Sequence, residues 1–122
     1  MSKKILVIED DRGILDALRL TLEYAGYDVA LTDKGEYVDK LKLVEKSELP
    51  DVIILDILLS GKDGRVICRK LKSEQETSHI PVIMVSAHPK AETSAKEAGA
   101  DDFLAKPFNI QDLLAIVKKY TI

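Results

Sequence analysis

The chain has 122 residues and a formal net charge of −3, and its length fits one domain with one hydrophobic core. Its 18 Lys and Arg against 21 Asp and Glu provide no basic surface for nucleic acid, and no apolar run reaches the length of a membrane span. Cys68 is the only cysteine and no signal peptide fits before the first apolar run, so we expect no disulfide and a reducing, cytoplasmic setting.

Apolar runs and amphipathic stretches alternate five times along the chain. In chain order they predict strand Ile5–Ile8, helix Asp11–Ala25, strand Tyr27–Leu31, a helix after the capping-box spacing Asp33–Glu36, strand Val52–Leu55, a helix from about Gly64 to Ser73, strand Ile80–Val85, a helix from about Lys90 to Ala98, strand Asp102–Ala105 and a helix from the cap Asn109. We number the predicted strands and helices 1 to 5 in this order.

The apolar faces of these helices indicate which side chains enter the core. They are Ile14, Leu15, Leu18 and Leu22 in helix 1, Val38, Leu41 and Val44 in helix 2, Val66, Ile67 and Leu71 in helix 3, and Ile110, Leu113, Leu114 and Val117 in helix 5. Helix 4 has only alanines at Ala91, Ala95 and Ala98, so we expect it to be the least firmly anchored helix.

Five strand–helix units predict an α/β fold, a doubly wound five-stranded parallel sheet of the flavodoxin-like (βα)5 type with strand order 2-1-3-4-5. Its crossover connections should be right-handed, with helices on both faces of the sheet. Strands 1 and 3 are central neighbours in this order. Ligands of such folds bind between the carboxyl ends of these strands.

Acidic residues follow both central strands. Val52–Leu55 is wholly apolar, which is typical of a strand buried on both faces, and Asp56 comes directly after it. Ile5–Ile8 is likewise followed by the acidic residues 9–11. Carboxylates so close together cannot all stay ionised without a cation, and a hard, oxygen-liganded ion such as Mg²⁺ would resolve the conflict.

Two further polar residues end strands at the same edge, Ser86 after strand 4 and Lys106 after strand 5. If Asp10 and Asp56 hold a metal ion, the metal and Lys106 offer positive charge to a phosphoryl group, and the Ser86 hydroxyl can donate to it. Asp56 then remains to act as the nucleophile that forms an aspartyl phosphate. Each residue alone fits a helix cap, a turn or an ordinary surface position, but their convergence favours the functional interpretation.

Five segments have an order and spacing that together are strongly specific. They are Ile5–Asp11 (ILVIEDD), Val52–Asp56 (VIILD), Val82–Ala87 (VIMVSA), Gly99–Phe103 (GADDF) and Lys106–Phe108 (KPF). With them, the chain resembles the receiver domain of two-component response regulators over its whole length, as a single domain of residues 1–122.

The resemblance implies a role for each matching position. It implies that Asp56 is the phosphoacceptor and that Asp10 is a direct Mg²⁺ ligand beside Asp56, with Glu9 acting through water and the backbone carbonyl of Leu58 as a further ligand. It also implies that Ser86 and Phe103 are the switch residues and that Lys106 is the invariant lysine. A cis peptide bond is implied before Pro107. The resemblance thus implies Mg²⁺ as cofactor, and self-phosphorylation and autodephosphorylation as the only chemistry the chain performs.

The resemblance also implies partners. A histidine kinase or a histidine phosphotransfer protein donates the phosphoryl group, and a downstream protein target reads the helix 4–strand 5–helix 5 face. No direct contact with nucleic acid or membrane is expected, and a homodimer on phosphorylation is left open. Whether the chain acts alone or is a piece of a longer regulator, and which kinase and target it serves, are also left open.

Two positions depart from the family pattern. The family usually has proline four residues after the phosphoacceptor, whereas this chain has Ser60 followed by Gly61, which predicts a less rigid loop. Leu58 replaces a residue that is polar in many members, and we hypothesise that it shields the phosphate from water.

Three rival functions were weighed. An aspartate-nucleophile phosphohydrolase needs a second acid where this chain has Leu58. A flavin or nucleotide carrier needs a glycine- or hydroxyl-rich loop where this chain has residues 9–11, which would repel phosphate. The alternative that stays open is a non-phosphorylated, receiver-like scaffold for protein interactions. The two histidines, His79 and His88, lie in polar connectors and are predicted to be surface residues.

Overall fold

The computed structural model of the chain describes residues 2–59, 61–88 and 90–122. The strands of its main sheet are β1 Lys4–Ile8, β2 Asp28–Thr32, β3 Val52–Asp56, β4 Val82–Ser86 and β5 Asp102–Ala105. The α-helices are α1 Arg12–Tyr24, α2 Gly64–Ser73, α3 Ala91–Glu97 and α4 Ile110–Thr121. The 3-10 helices Gly35–Leu43 and Lys46–Glu48 join β2 to β3, and a short hairpin pairs Leu58–Leu59 with Lys62–Asp63.

The five strands form one parallel sheet in the order β2-β1-β3-β4-β5, which confirms the predicted fold and strand order. Every residue of β3 is buried, as the apolar run Val52–Leu55 predicted, and every residue of β4 is buried too. The edge strand β2 alternates between exposed and partly buried residues. Ile8 pairs with Leu55, so the next residues along the two central strands, Glu9 and Asp56, lie side by side.

Hydrophobic clusters fill both faces of the sheet because successive side chains of a strand point to opposite faces. Ile53 and Leu55 of β3 belong to the cluster under α2, α3 and the first 3-10 helix. Val52 and Ile54 belong to the cluster under α1 and α4. This is the two-sided burial expected of a doubly wound fold.

The prediction of an α-helix after Asp33 was wrong. The segment Gly35–Leu43 is a 3-10 helix, and the described residues give its N-cap, Lys34, no side-chain hydrogen bond. Its buried residues are Gly35, Val38 and Leu41, and this spacing of three matches the three residues per turn of a 3-10 helix. Val44, predicted to point inward, lies beyond the helix end and is exposed.

Two other predicted core residues are exposed. Val66 of α2 is exposed because the buried side of this helix has Gly64, Ile67, Cys68 and Leu71, at helical spacing. Cys68 is therefore fully buried. Ile110 is exposed because it is the first residue of α4, whose buried face begins one turn later at Leu113.

The helices differ in how they are anchored. The Asp11 carboxylate caps α1 by accepting a hydrogen bond from the Ile14 N–H at 3.0 Å. Among the described residues, α3 and its C-cap contribute only Ala91, Ala95 and Ala98 to the core, as predicted for helix 4.

No helix among residues 2–59, 61–88 and 90–122 is long and apolar enough to cross a membrane.

Candidate functional site

Three carboxylates converge where β1 and β3 end. One ligand oxygen from each of Glu9, Asp10 and Asp56 lies within 4.8 Å of the other two. Glu9 and Asp56 are buried and Asp10 is partly buried. The parallel pairing of β1 with β3 brings these residues together because both strands end at the same edge of the sheet.

The Glu9 carboxylate is held by several donors. Its Oε1 accepts a hydrogen bond from Lys106 Nζ at 2.6 Å, and its Oε2 accepts from the backbone N–H of Asp10 at 3.1 Å and of Asp11 at 3.4 Å. Glu9 is only 2% exposed, so its charge is compensated inside the protein rather than by bulk water. Sequence reasoning assigned Glu9 to the metal but did not foresee its contact with Lys106.

Lys106 reaches two of the carboxylates from the end of β5. Its Nζ lies 2.6 Å from Glu9 Oε1 and 3.5 Å from Asp56 Oδ2. Burial by itself lowers the pKa of Lys106, but the hydrogen bond to Glu9 and the charges of Asp56 and Glu9 outweigh it, so the pKa is raised. The Lys106–Pro107 peptide bond is cis, as the resemblance implies.

The protein groups around Asp56 stabilise its anion poorly. Burial and then the hydrogen bond and negative charge of Glu9 raise its pKa to about 7, against the smaller opposing effects of Lys106 and of the Leu58 N–H. Lys106 is the ammonium group that pairs with both Glu9 and Asp56. A cation added there would relieve the repulsion that raises the Asp56 pKa.

The donor set fits Mg²⁺. It consists of oxygen atoms only, which hard divalent cations prefer, and it is crowded with negative charge. The Leu58 N–H turns toward the Asp56 carboxylate, which places the backbone of Leu58 next to the acidic cluster. Glu9, Asp10 and Asp56 are thus the described residues that could hold the ion.

The turn after β3 depends on Gly64. A Cβ at this position would lie 2.3 Å from the backbone oxygen of Asp56, a distance that real Cβ atoms do not reach. The Gly64 N–H donates to the Ile57 carbonyl at 2.6 Å and closes the loop behind Asp56. The predicted effect of Ser60 on this loop concerns a position outside the described residues.

Ser86 ends β4 at this edge, whereas Phe103 lies two residues before the end of the neighbouring strand β5. Ser86 is buried at the end of β4, and its Oγ accepts a hydrogen bond from the His88 N–H at 3.0 Å. Phe103 is partly buried and packs against the cluster that includes the α3 alanines. Both residues therefore adjoin the helix with the smallest core side chains.

A cavity of about 310 Å³ opens next to the acidic cluster and contains residues that sequence reasoning treated as ordinary surface. Its lining residues are Ile57, Leu58, Arg65, Ser86, His88, Lys90, Ala91 and Ser94. The sequence predicted His88 to be a surface residue in a polar connector. The position of His88, two residues after Ser86, is the sequence feature that indicates its location near the site.

A larger groove of about 700 Å³ runs between α1 and α4 and is mostly apolar. It reaches Lys106 at one end and has Ile14, Leu18 and Phe108 among its lining residues. Its lining residues include Asp11 but none of the three carboxylates of the acidic cluster. We therefore locate the chemistry at the smaller polar site.

The chain is similar to known receiver domains. A family model described as the response regulator receiver domain matches residues 5–118. A candidate response regulator from Chloroflexus aurantiacus J-10-fl is 34% identical, with a TM-score of 0.89 and 98% of each chain covered. The signal receiver domain of a signal transduction histidine kinase from Syntrophus aciditrophicus is also 34% identical, with a TM-score of 0.85 and 98% of this chain and 89% of that chain covered.

A third structure shows the same fold at lower identity. The receiver domain of a sensor histidine kinase from Pseudomonas aeruginosa PAO1 is 24% identical, with a TM-score of 0.86 and 98% of each chain covered, and it has a magnesium ion coordinated in its active-site cleft. The family match spans nearly the whole chain and includes every residue of the acidic cluster. This chain therefore belongs to the receiver-domain family of two-component response regulators, whose members are signalling modules rather than enzymes.

Proposed function

We propose that residues 1–122 form one receiver domain that accepts a phosphoryl group on Asp56 in a cytoplasmic relay. The donor is the phosphohistidine of a histidine kinase or of a histidine phosphotransfer protein. The observation that carries this proposal is the convergence of three carboxylates and Lys106 at the carboxyl ends of β1, β3 and β5. This is the edge where doubly wound sheets bind ligands.

The transfer exchanges one bond to phosphorus for another. An Asp56 carboxylate oxygen attacks the phosphorus, an O–P bond forms, and the P–N bond to the donor histidine breaks. The electron pair of that bond returns to the imidazole nitrogen. Such a transfer depends mainly on positioning and on neutralising the charge of the phosphoryl oxygens.

Asp10, Asp56 and the backbone carbonyl of Leu58 would hold Mg²⁺ directly, and Glu9 would act through water. When bound, Mg²⁺ supplies positive charge opposite the phosphoryl oxygens. The crowding that raises the pKa of Asp56 supports this assignment, because a cation favours the ionised carboxylate that acts as the nucleophile.

Lys106 and Ser86 act on the phosphoryl group once it is attached. The Lys106 ammonium, which lies 3.5 Å from Asp56 Oδ2, is close enough to pair with a phosphoryl oxygen after a small movement. The Ser86 hydroxyl donates to another phosphoryl oxygen. Self-phosphorylation by a small phosphodonor and autodephosphorylation would use the same groups.

The response spreads from Ser86 to a protein-binding face. Movement of Ser86 toward the phosphoryl group opens space near β4, and Phe103 rotates into it. The face formed by α3, β5 and α4 then changes, and a downstream protein or a second phosphorylated copy binds it. The alanine anchors of α3 support this account because a helix with small buried side chains loses little packing when it moves.

Leu58 is proposed to lengthen the lifetime of the phosphorylated state. Its side chain is exposed and lines the cavity next to the acidic cluster, where a hydrolytic water would approach. Replacing Leu58→Asn should speed dephosphorylation, measured as loss of the added phosphoryl mass over time. An unchanged rate would contradict this role.

The decisive experiment is intact-protein mass spectrometry after incubation with acetyl phosphate. We expect a gain of one phosphoryl group in the presence of Mg²⁺, no gain with chelator, and no gain in Asp56→Asn. Asp28→Asn is the matched control, because Asp28 is an exposed acid at the opposite end of the neighbouring strands.

If wild type gains no mass from acetyl phosphate, the same measurement with a phosphorylated histidine phosphotransfer protein separates the remaining possibilities. Transfer from that donor would support the proposal. No transfer from either donor would favour the non-phosphorylated scaffold.

A further inference from the structure

Helix α1 has a second apolar face in addition to the one that enters the core. Its core face consists of Leu15, Leu18 and Leu22, which are all buried. Away from the core face, an exposed outer stripe follows the helical spacing i, i+4, i+7 and i+11; its residues are Gly13 and Ala17, which also line the groove between α1 and α4, and Leu20 and Tyr24. Leu20 is 63% exposed and Tyr24 is 96% exposed.

The outer stripe does not serve the fold of the monomer, because the core face already anchors α1. Large apolar residues scattered singly on a surface need no explanation, but a stripe at helix-packing spacing fits a partner helix. Within the stripe, two small residues precede two large ones. We propose that this stripe binds a second copy of the chain, with the two α1 helices antiparallel.

The order of small and large residues is self-complementary in the antiparallel arrangement. With a two-fold axis crossing the pair between Ala17 and Leu20, Ala17 of one copy faces Leu20 of the other. The same axis sets Gly13 opposite Tyr24 of the second copy. Small residues thus leave room for large ones at each level, and the helices can approach to the usual 8–10 Å.

Charges on one flank of α1 select the same arrangement. At about 100° per residue, four charged side chains cluster beside the outer stripe. They are Arg12, Asp16, Arg19 and Glu23, and all are exposed. The two-fold axis keeps the charged flanks of an antiparallel pair on the same side, so Arg12 comes beside Glu23 of the second copy and Asp16 beside Arg19.

A parallel pair lacks this complementarity. It would set the charged flank of one helix against the flank of the other that has Ile14 and Thr21. Within one chain, Asp16 Oδ1 and Arg19 Nη2 are 4.0 Å apart, and their side chains are 51% and 45% exposed. An exposed pair with this separation is weak, so both residues remain available to pair across the interface.

The contact is small, so the dimer should be weak. A helix of 13 residues is about 20 Å long. One helix pair therefore buries less than the roughly 1,200 Å² of a stable complex, which suggests a dissociation constant between about 10 µM and about 1 mM. This inference does not depend on phosphoryl transfer.

Sedimentation equilibrium of the full chain from about 10 µM to about 1 mM, without phosphodonor, tests the proposal. We expect a monomer–dimer equilibrium that Leu20→Glu weakens by at least about tenfold, because each dimer buries two copies of Leu20. Leu43→Glu is the matched control. Leu43 is 81% exposed at the end of the 3-10 helix, away from α1, and its replacement should leave association unchanged.

A charge exchange tests the register. Asp16→Arg and Arg19→Asp should each weaken association by about three- to tenfold, because each sets like charges together across the interface. The double variant should restore wild-type association to within about twofold. Circular dichroism of every variant checks that the monomer is folded.

A spin label tests the direction of the helices. Cys68 is buried, so a label should attach selectively to Tyr24→Cys. In a mixture with unlabelled ¹⁵N protein, it should broaden the amide signal of Gly13 in the unlabelled copy. Broadening centred on Tyr24 instead, a monomer at 1 mM, or a dimer unaffected by Leu20→Glu would each overturn the proposal.

Discussion

The two edges of the sheet both hold charged groups, but they balance them in opposite ways. At the amino edge, Asp101 accepts hydrogen bonds from Lys72 Nζ at 2.7 Å and from the Val82 N–H at 2.8 Å. At the carboxyl edge, Lys106 Nζ lies 2.6 Å from Glu9 Oε1 and 3.5 Å from Asp56 Oδ2, and a ligand oxygen of Asp10 lies within 4.8 Å of those two carboxylates. The first arrangement joins elements of the fold, whereas the second brings carboxylates close together.

The pKa shifts report the same difference. Burial raises the pKa of Asp102 at the amino edge, but hydrogen bonds from the Phe103 N–H, Tyr120 and Lys119 outweigh it, so the pKa is lowered. Burial raises the pKa of Asp56 to about 7, and the neighbouring Glu9 adds to the rise. Hydrogen-bond donors stabilise the Asp102 carboxylate as an anion, whereas a cation would be needed to stabilise the Asp56 carboxylate in the same way.

The largest expected effect is at the carboxyl edge. In the presence of chelator, Asp56→Asn should increase the free energy of unfolding by about 2 kcal/mol at pH 8, because it removes a buried charge that lies beside Glu9. Urea unfolding of wild type and variant measures the difference. Asp28→Asn, at an exposed acid, is the control and should leave the free energy of unfolding unchanged.

The same difference should depend on pH. The pKa of Asp56 is about 7 in the folded chain and about 3.9 when unfolded, so the folded state binds this proton more tightly. Wild-type stability from this group is present below about pH 4 and is lost as the pH rises through 7. The increase in the free energy of unfolding caused by Asp56→Asn should therefore be near zero at pH 4 and complete at pH 8. An increase that does not change with pH would contradict the raised pKa of Asp56.

At the amino edge, removal of an acid should lower the free energy of unfolding rather than raise it. Asp101→Ala should lower the free energy of unfolding by about 1.5 kcal/mol, because it leaves Lys72 and the Val82 N–H without this acceptor. Urea unfolding at pH 8 gives the value. Stabilisation by this variant would remove the contrast between the two edges.

A smaller loss is expected from Tyr120→Phe. The Tyr120 hydroxyl donates to the Asp101 carbonyl at 2.9 Å or to Asp102 Oδ2 at 3.0 Å, and it joins α4 to the start of β5. Its removal should cost about 0.5–1 kcal/mol, measured in the same way. Phosphorylation of Asp56 should be unchanged, since the hydroxyl is at the other edge.

The smallest effect should come from an exposed ion pair outside both edges. Lys70 Nζ pairs with Asp39 Oδ1, and both side chains are nearly half exposed. Because water and salt screen such pairs, Asp39→Asn should give no measurable change in Tm. A clear loss would mean that this pair anchors the 3-10 helix to α2.

The sequence alone determined the fold and the membership of the acidic site. Apolar runs at 5–8 and 52–55 predicted two buried central strands, and parallel strands must end at a common edge. Glu9, Asp10 and Asp56 are close together for that reason. The roles proposed for these residues, and for Ser86, Phe103, Leu58 and Lys106, stay predictions until phosphorylation is measured.

Only the tertiary structure decided which hydrogen-bond and packing partners the side chains have. The hydrogen bond from Lys106 to Glu9 joins the residues that directly follow β5 and β1, which are 97 positions apart in sequence, so no local pattern encodes it. The close packing of the 3-10 helix Gly35–Leu43 on α2 is a second such feature, since a Cβ at Gly35 would lie 2.5 Å from the Ile67 side chain. Propensity and periodicity are local signals, and contacts between distant elements override them.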